Sequence, residues 1–277
     1  MITENEGQCV SPDFMMPLKF WERIKPLLPE AKPKPKGGHP REPDHTMMNG
    51  IYYVLRTGCQ WNAIPRCLGA SSTIHDRFQE WRKSGVFLHM WQKGLLTFDE
   101  LKGLDWEWQA MDGAMTKAPL GGEATGRNPT DRGKLGVKRS LLTEGKGMPV
   151  GVTIDGANRH DKKLVEKTLE SIVVKRPDPR EQKQNICLDK GYDYKDIREL
   201  LSEWGYTAHI KARGEEKQEK ETIPGYRARR WVVERTHSWM NRFRRLLTRW
   251  EKKSENYVGF LHFACAFITF HAAGVFG

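Results

Sequence analysis

The first hundred residues space their apolar positions with the period of a helix. Trp21, Ile24 and Leu28 share one face, and Met47, Ile51 and Val54–Leu55 share another, with Gly58 placed to end that second helix. A third helix is predicted after Ser71-Ser72, read as its caps, with Ile74, Phe78 and Trp81 at i, i+4 and i+7. Its outer face would hold Arg77, Arg82 and Lys83. Phe87, Trp91, Leu95 and Phe98 predict a fourth helix. Between the first two, Lys32-Pro33-Lys34-Pro35-Lys36-Gly37-Gly38 is a basic, extended linker, because alternating prolines deny a helix its backbone donors.

From about residue 105 the period shortens to two. Trp106, Trp108 and Ala110 alternate with Glu107 and Gln109, which predicts a strand leading to Asp112. The Gly/Thr/Pro-rich stretch from Gly121 to Gly136 reads as a mobile loop. Residues Arg139 to Thr143 and Val150 to Ile154 flank Glu144-Gly145-Lys146-Gly147, a hairpin with glycine turn chemistry. A helix follows on Leu164, Val165, Leu169 and Ile172. Asn185 to Leu188 is a short buried strand ending at Asp189, then come a helix on Tyr194, Ile197, Leu201 and Trp204 and an edge strand from Tyr206 to Lys211. One helical pattern, basic and aromatic, runs from Arg227 to Lys253, with Val232, Trp239, Phe243, Leu246 and Trp250 as its apolar stripe. The last run, Tyr257 to Gly277, is nearly long enough to span a bilayer, but His262, Thr269 and His271 and the need to cover a sheet favour a buried terminal helix.

This order predicts an α+β chain. Residues 1–102 would form a helical, helix-turn-helix-like domain, with a purely structural helical cap as the alternative. Residues 103–277 would form a mixed-sheet domain of RNase H-like layering.

Charge narrows the partner. The 277 residues carry a formal net charge of +11, spread over Lys32, Lys34 and Lys36, over Arg132, Lys134, Lys138 and Arg139, and over the basic helix. A distributed positive field points to a polyanion, nucleic acid above all. The 5 cysteines form no CxxC pair. That count argues for a reducing cytoplasm and against a disulfide framework or a zinc site. The acidic, polar start has no secretory signal pattern, and no membrane partner is expected.

Three acids stand at the polar edges of apolar runs: Asp112, Asp189 and Glu234. Converging carboxylates repel, and an oxygen-rich cluster suits magnesium or manganese. At 3.6 residues per turn Glu234 falls off the apolar stripe, beside Arg230, Ser238, Asn241 and Arg245, on a face suited to phosphates. The bland alternatives are an Arg230–Glu234 salt bridge on a solvated helix, Asp155 at the end of a hairpin strand, and Asp193 and Asp161 as helix caps. His160 either touches substrate or packs.

An ordered set of motifs weighs between these readings. Asp112-Gly113, the run Asp131 to Arg139, Gly156-Ala157-Asn158-Arg159-His160-Asp161, Asp189-Lys190-Gly191-Tyr192-Asp193 and Arg230-Trp231-Val232-Val233-Glu234-Arg235-Thr236 follow one another. Together they resemble the insertion-sequence-five group of bacterial DDE transposases. Trp21 to Ile24 through Gly58-Cys59-Gln60-Trp61 and Pro65 resembles the helical domain that precedes that core. The resemblance implies an enzyme that binds terminal inverted repeats, cuts there, and joins 3′ ends to target DNA. It further implies two Mg²⁺ or Mn²⁺ ions per active site held by Asp112, Asp189 and Glu234, and a homodimer on double-stranded DNA at the bacterial nucleoid. Arg227 stands where the group's signature has tyrosine and Asn241 where it has a cation, with Arg242 adjacent. The DNA contacts expected are Arg77, Arg82, Lys83, Arg132, Lys134, Lys138, Arg230, Asn241, Arg242 and Arg245, with His160 as a possible auxiliary. The alternative is a transposase-derived DNA-binding protein, or a nuclease without strand transfer.

Overall fold

A computed structural model describes residues 9–31, 40–210 and 229–276. The Lys32–Gly38 linker, Lys211 and Arg227 lie outside the described residues.

Four helices open the chain: α1 (Leu18–Ile24), α2 (Asp44–Thr57), α3 (Ser71–Lys83) and α4 (Val86–Lys102). Gly58 ends α2 in the left-handed region, φ 70°, which a residue without Cβ enters at little cost. Ser71 and Ser72 do not cap α3. The helix begins at Ser71, with Ala70 as its N-cap and no side-chain cap bond. Cys9 and Cys67 are joined as a disulfide, a correction to the expectation that no cysteine pairs. Spacing could not reveal it, because 58 positions separate the two and the fold alone brings them together.

The terminal apolar run forms α9 (Ser254–Ala272) and packs back on these helices. Phe260 stacks on Phe78 at 4.6 Å between ring centroids, Phe263 meets Phe87 at 5.2 Å and Phe270 meets Phe20 at 5.5 Å. Rings of this size carry much of a core's apolar burial. Among the described residues no helix is long and apolar enough to cross a membrane. One continuous core runs from α1 through α9 to the sheet.

The sheet contains β1 (Trp108–Lys117), β2 (Gly126–Arg127), β3 (Leu135–Glu144), β4 (Pro149–Gly156), β5 (Gln184–Leu188) and β6 (Tyr206–Ile210). β3 pairs antiparallel with β1 on one side and with β4 and the short β2 on the other. β5 pairs parallel with β1, and β6 parallel with β5. The spatial order β4-β3-β1-β5-β6, with antiparallel strands first and parallel strands after, is RNase H-like. The stretch expected as a mobile loop contains β2 and a bonded turn, in which the Gly133 amide donates to Asn128 O at 3.0 Å.

α5 (Val165–Glu170) covers one face, tied to β3 by the Thr168 hydroxyl donating to Ser140 Oγ at 2.8 Å. α6 (Lys195–Glu203) connects β5 to β6. After residue 228 the expected single basic helix is two: α7 (Trp231–Asn241) and α8 (Arg244–Leu247). Phe243 breaks the path with extended ψ of 98°, its ring staying buried, and the residues after it leave the phase of α7. Trp250, expected on the apolar stripe, is therefore 41% exposed.

Candidate active site

The register of two strands sets the geometry. Trp108, Gln109 and Ala110 pair in parallel with Asn185, Ile186 and Cys187. Two residues beyond the last pair, each strand carries an aspartate, Asp112 and Asp189. Carboxyl ends of parallel strands are where open α/β sheets bind ligands. β1 does not end at Asp112, as the alternation had suggested. It runs on to Lys117 because β3 keeps pairing with it, with Asp112 opposite Leu141. Asp189 does leave its strand. Its Oδ1 accepts from the Gly191 amide at 2.8 Å and starts the tight turn Lys190–Tyr192. Glu234 comes from the exposed side of the first turn of α7, where the helix dipole favours an acid.

Asp112 senses the other acids. Its carboxyl pKa is pushed up to about 6, by burial first, with the Gly113 amide opposing, and then by the charges of Asp189, Glu234 and Asp161. A group held toward its neutral form by burial and then by neighbouring anions is one that a cation would relieve. The donors are hard oxygens, which fit Mg²⁺ or Mn²⁺ in chemistry. Among the described residues, however, no three His, Cys, Asp or Glu side chains are gathered as a ready-made ion site.

Buried His237 meets the Asp112 backbone, with the buried Arg139 cation beside it. His237 is held neutral, its pKa lowered to about 3 by burial and by the Arg139 guanidinium, with the Asp112 backbone opposing. Arg139 is 1% exposed and donates to Asn241 Oδ1 at 3.1 Å. Asn241 is thus engaged by an internal arginine.

Asp161 is not a cap. His160 caps that turn instead, its ring accepting from the Lys162 amide, and it also meets the Tyr194 hydroxyl at 3.2 Å. Asp161 turns inward, accepting from Lys138 Nζ at 2.9 Å. Lys138, expected on DNA, is buried and also donates to Arg159 O at 2.7 Å. Of the competing acids, Asp155 is paired with Arg159 and Lys167, and Asp193 with Arg198.

The expected DNA contacts divide. Arg77 is 5% exposed and paired with Asp44 from α2, so it does not lie on an outer face. Arg82 is paired with Glu255 of α9. Arg245 is 4% exposed, with Nε donating to Glu251 at 2.6 Å and Nη1 to Cys59 O at 2.7 Å. Helical phase predicts a face but not the acid that a distant segment brings to it. Lys83, Arg132, Lys134 and Arg242 are exposed, and Arg230 is half-buried beside Glu234's helix. Sequence reasoning missed His237, Lys138 and Tyr192 as neighbours of the acids. Gly113, next to Asp112, signals a close approach, a feature that Asp189 shares through Gly191 and Asp155 through Gly156.

A model of the family described as "Putative transposase of IS4/5 family" matches residues 16–91. A second, described as "Transposase DDE domain", matches residues 108–268, a span holding Asp112, Asp189 and Glu234. The chain is 33% identical over 150 residues to the "Putative transposase for insertion sequence element IS402" of Burkholderia cepacia, covering 53% of this chain and 69% of that protein. It is 29% identical over 115 residues to the "Insertion element IS402 uncharacterized 16.2 kDa protein" of the same organism, covering 40% of this chain and 78% of that one. Among solved structures, the catalytic domain of Mos1 mariner transposase covers 68% of this chain and 96% of its own, at 7% identity and TM-score 0.28. The fold assignment rests on the strand order instead.

Proposed function

Because this chain belongs to the DDE-domain transposases, enzymes that cleave DNA and transfer its strands, we propose that Asp112, Asp189 and Glu234 are its catalytic acids. The single observation behind this is electrostatic and geometric together. Asp189 and Glu234, from a different strand and a helix, both press on the half-buried Asp112, itself aligned with Asp189 through the Ala110–Cys187 register.

Two divalent cations held by these acids, Mg²⁺ or Mn²⁺, would supply Lewis-acid stabilisation of the attacking and leaving oxygens of a phosphodiester. The protein's own part is to fix three carboxylates on rigid elements. β1 holds Asp112 by pairing with β3 at Leu141 and with β5 as far as Ala110, the Gly191 amide orients Asp189, and α7 presents Glu234. The carboxylates bind and orient, and no covalent protein nucleophile is required.

The substrate is DNA, and the finer reading is that the enzyme binds terminal inverted repeats, cuts at the element ends and joins 3′ ends to target DNA as a homodimer. Arg132, Lys134, Arg230 and Arg242 are the candidates for holding the phosphate backbone, and of the original three α3 cations Lys83 is the exposed one, with no ion pair among the described residues. His160, at the rim with Tyr194, is a candidate auxiliary contact.

The test is cleavage of labelled element-end DNA by the full chain in Mg²⁺, with joined products mapped. Cut and joined ends support the reading. Cutting without joining would reduce it to a nuclease, and sequence-specific binding without cutting would leave only a DNA-binding descendant.

A further inference from the structure

We propose that Tyr192, Asp161 and Lys138 form a brace that positions the Asp112 and Asp189 carboxylates from below. This rests on the reading of Asp112 and Asp189 given above and assigns three further positioning residues to that site.

The first observation is a close approach. The Gly113 backbone lies against the Asp161 carboxylate, so that a Cβ at position 113 would come within 2.3 Å of Asp161 Oδ1. A side chain there would displace Asp161, and glycine leaves the room. The carboxylate is thereby seated one residue from Asp112. It is anchored from the other side by Lys138, whose Nζ reaches Asp161 Oδ2 and the Arg159 carbonyl. The side chain of Lys138 is 8% exposed, so the lysine end of this ion pair is shielded from water. Oδ2 is therefore committed to the lysine.

The second observation is independent. Tyr192 is 1% exposed, yet its hydroxyl has no hydrogen-bond partner among the described residues. A buried O–H left unmade is costly, and native proteins seldom tolerate one without a use. The acid charges that reach this phenol are Asp161, then Asp112, then Asp189. Its placement follows from Asp189 itself. The turn Lys190–Tyr192 begins with the Gly191 amide on Asp189 Oδ1, and the Tyr192 amide donates to the Asp189 carbonyl at 3.1 Å. Tyr192 is thus locked three residues after one acid, its buried phenol within the field of all three carboxylates.

A phenol donates one proton and does not ionise here, since burial and the surrounding anions both raise its pKa. It is suited to hold a carboxylate oxygen by donation without cancelling the charge, whereas a lysine in its place would neutralise the cluster. Lys138 takes up the surplus charge of Asp161, and the unpartnered Tyr192 hydroxyl is left available to donate to a carboxylate of the site. Groups behind metal-binding carboxylates typically change metal affinity or activity by roughly 10- to 100-fold when removed.

The experiment uses the full chain with Tyr192→Phe, Asp161→Asn and Asp112→Asn. Free Mn²⁺ is measured by electron paramagnetic resonance to give the binding constant, beside the melting temperature of metal-free protein and the cleavage rate against Mn²⁺ concentration. The proposal predicts Mn²⁺ binding weakened about 10-fold in Tyr192→Phe and in Asp161→Asn, with cleavage recovering at high Mn²⁺. Asp112→Asn should lose cleavage at every concentration. If Asp112→Asn loses binding and cleavage while the other two match the wild type, the brace is overturned and the site reading stands. If Asp112→Asn binds and cuts normally, the site reading itself falls. Tyr192→Phe removes one oxygen and should fold. Should it melt early, Asp161→Asn carries the same two readouts.

Discussion

Ala110 and Cys187 are the last parallel partners of β1 and β5, and the same two-residue step beyond them reaches Asp112 on one strand and Asp189 on the other. A slip of one residue in either strand would turn its aspartate to the opposite face. The coupling between the two acids is therefore a direct consequence of register, and it is measurable. In metal-free protein the Asp112 carboxyl, pushed up to about 6, should titrate lower in Asp189→Asn, and lower by a smaller step in Glu234→Gln. It should stay above the ordinary aspartate value in both, because burial is the larger cause. Carbon-13 NMR of labelled aspartates reads this out. An Asp112 titration indifferent to both substitutions would place the acids too far apart to share a site.

Acid stability follows from three buried groups with opposite signs. His237 and His262 are lowered by burial to about 3 and about 4, against 6.5 for free histidine. Between pH 6.5 and 4 the unfolded chain binds the protons that these two refuse, so stability falls on acidification. Asp112, raised from 3.8 to about 6, does the reverse. The folded state takes up its proton first, and stability rises as pH falls from 6 toward 4. Of these three, two against one leaves a net loss of stability on acidification near pH 5, and the loss should steepen in Asp112→Asn. Urea midpoints in a metal chelator from pH 4.5 to 7 test the sign. A slope unchanged by Asp112→Asn would mean its carboxyl is not held neutral.

Two classes of arginine should separate cleanly. Arg245 is buried against Glu251, and removing it leaves an uncompensated acid at a cost of about 3–5 kcal/mol. Arg245→Ala should fail in a denaturant melt before any DNA is added. Arg132→Ala, Lys134→Ala and Arg242→Ala should keep the native midpoint and each lower the slope of log affinity against log salt by about one. A stable Arg245→Ala with a reduced salt slope would return that residue to the DNA face.

The sequence alone made the sheet legible because period two and glycine turns are local signals. Val150 to Ile154 and Asn185 to Leu188 are strands where alternation and apolar runs placed them. What it could not show was what long-range packing brings opposite a side chain. Arg77 and Arg245 are spelled like solvent arginines, yet the fold buries Arg77 against Asp44 of α2 and Arg245 against Glu251, beyond the helix break, and the Cys59 carbonyl. Asp161 is spelled like a cap and serves under Gly113 instead. The helix broken at Phe243 shows the same limit, since apolar phase carried straight through the break.

The terminal helix matters to how the chain may be divided. α9 covers Phe20, Phe78 and Phe87, so a fragment ending at Lys102 would expose these rings to water. Losing even one such ring contact set typically costs about 3–5 kcal/mol. The fragment alone should give a collapsed amide NMR spectrum, and the same fragment with residues 254–276 tethered to it should give a dispersed one. A sharp cooperative melt for the fragment alone would show an independent helical domain able to bind element ends by itself.

The catalytic assignment faces its plainest trial in three near-isosteric substitutions, Asp112→Asn, Asp189→Asn and Glu234→Gln. Each keeps side-chain volume, Asp189 and Glu234 sit at the edges of their elements, and the Asp112 side chain is only half-buried on β1, so melting temperature and affinity for element-end DNA should be retained. Cleavage rate in Mg²⁺, measured on labelled element ends at matched folding, should fall by at least about 10³-fold in each, since removing one member of a site that acts as a unit costs nearly as much as removing all. Any one of the three that still cuts at a tenth of the wild-type rate contradicts the assignment of that acid, and with it the account of the site.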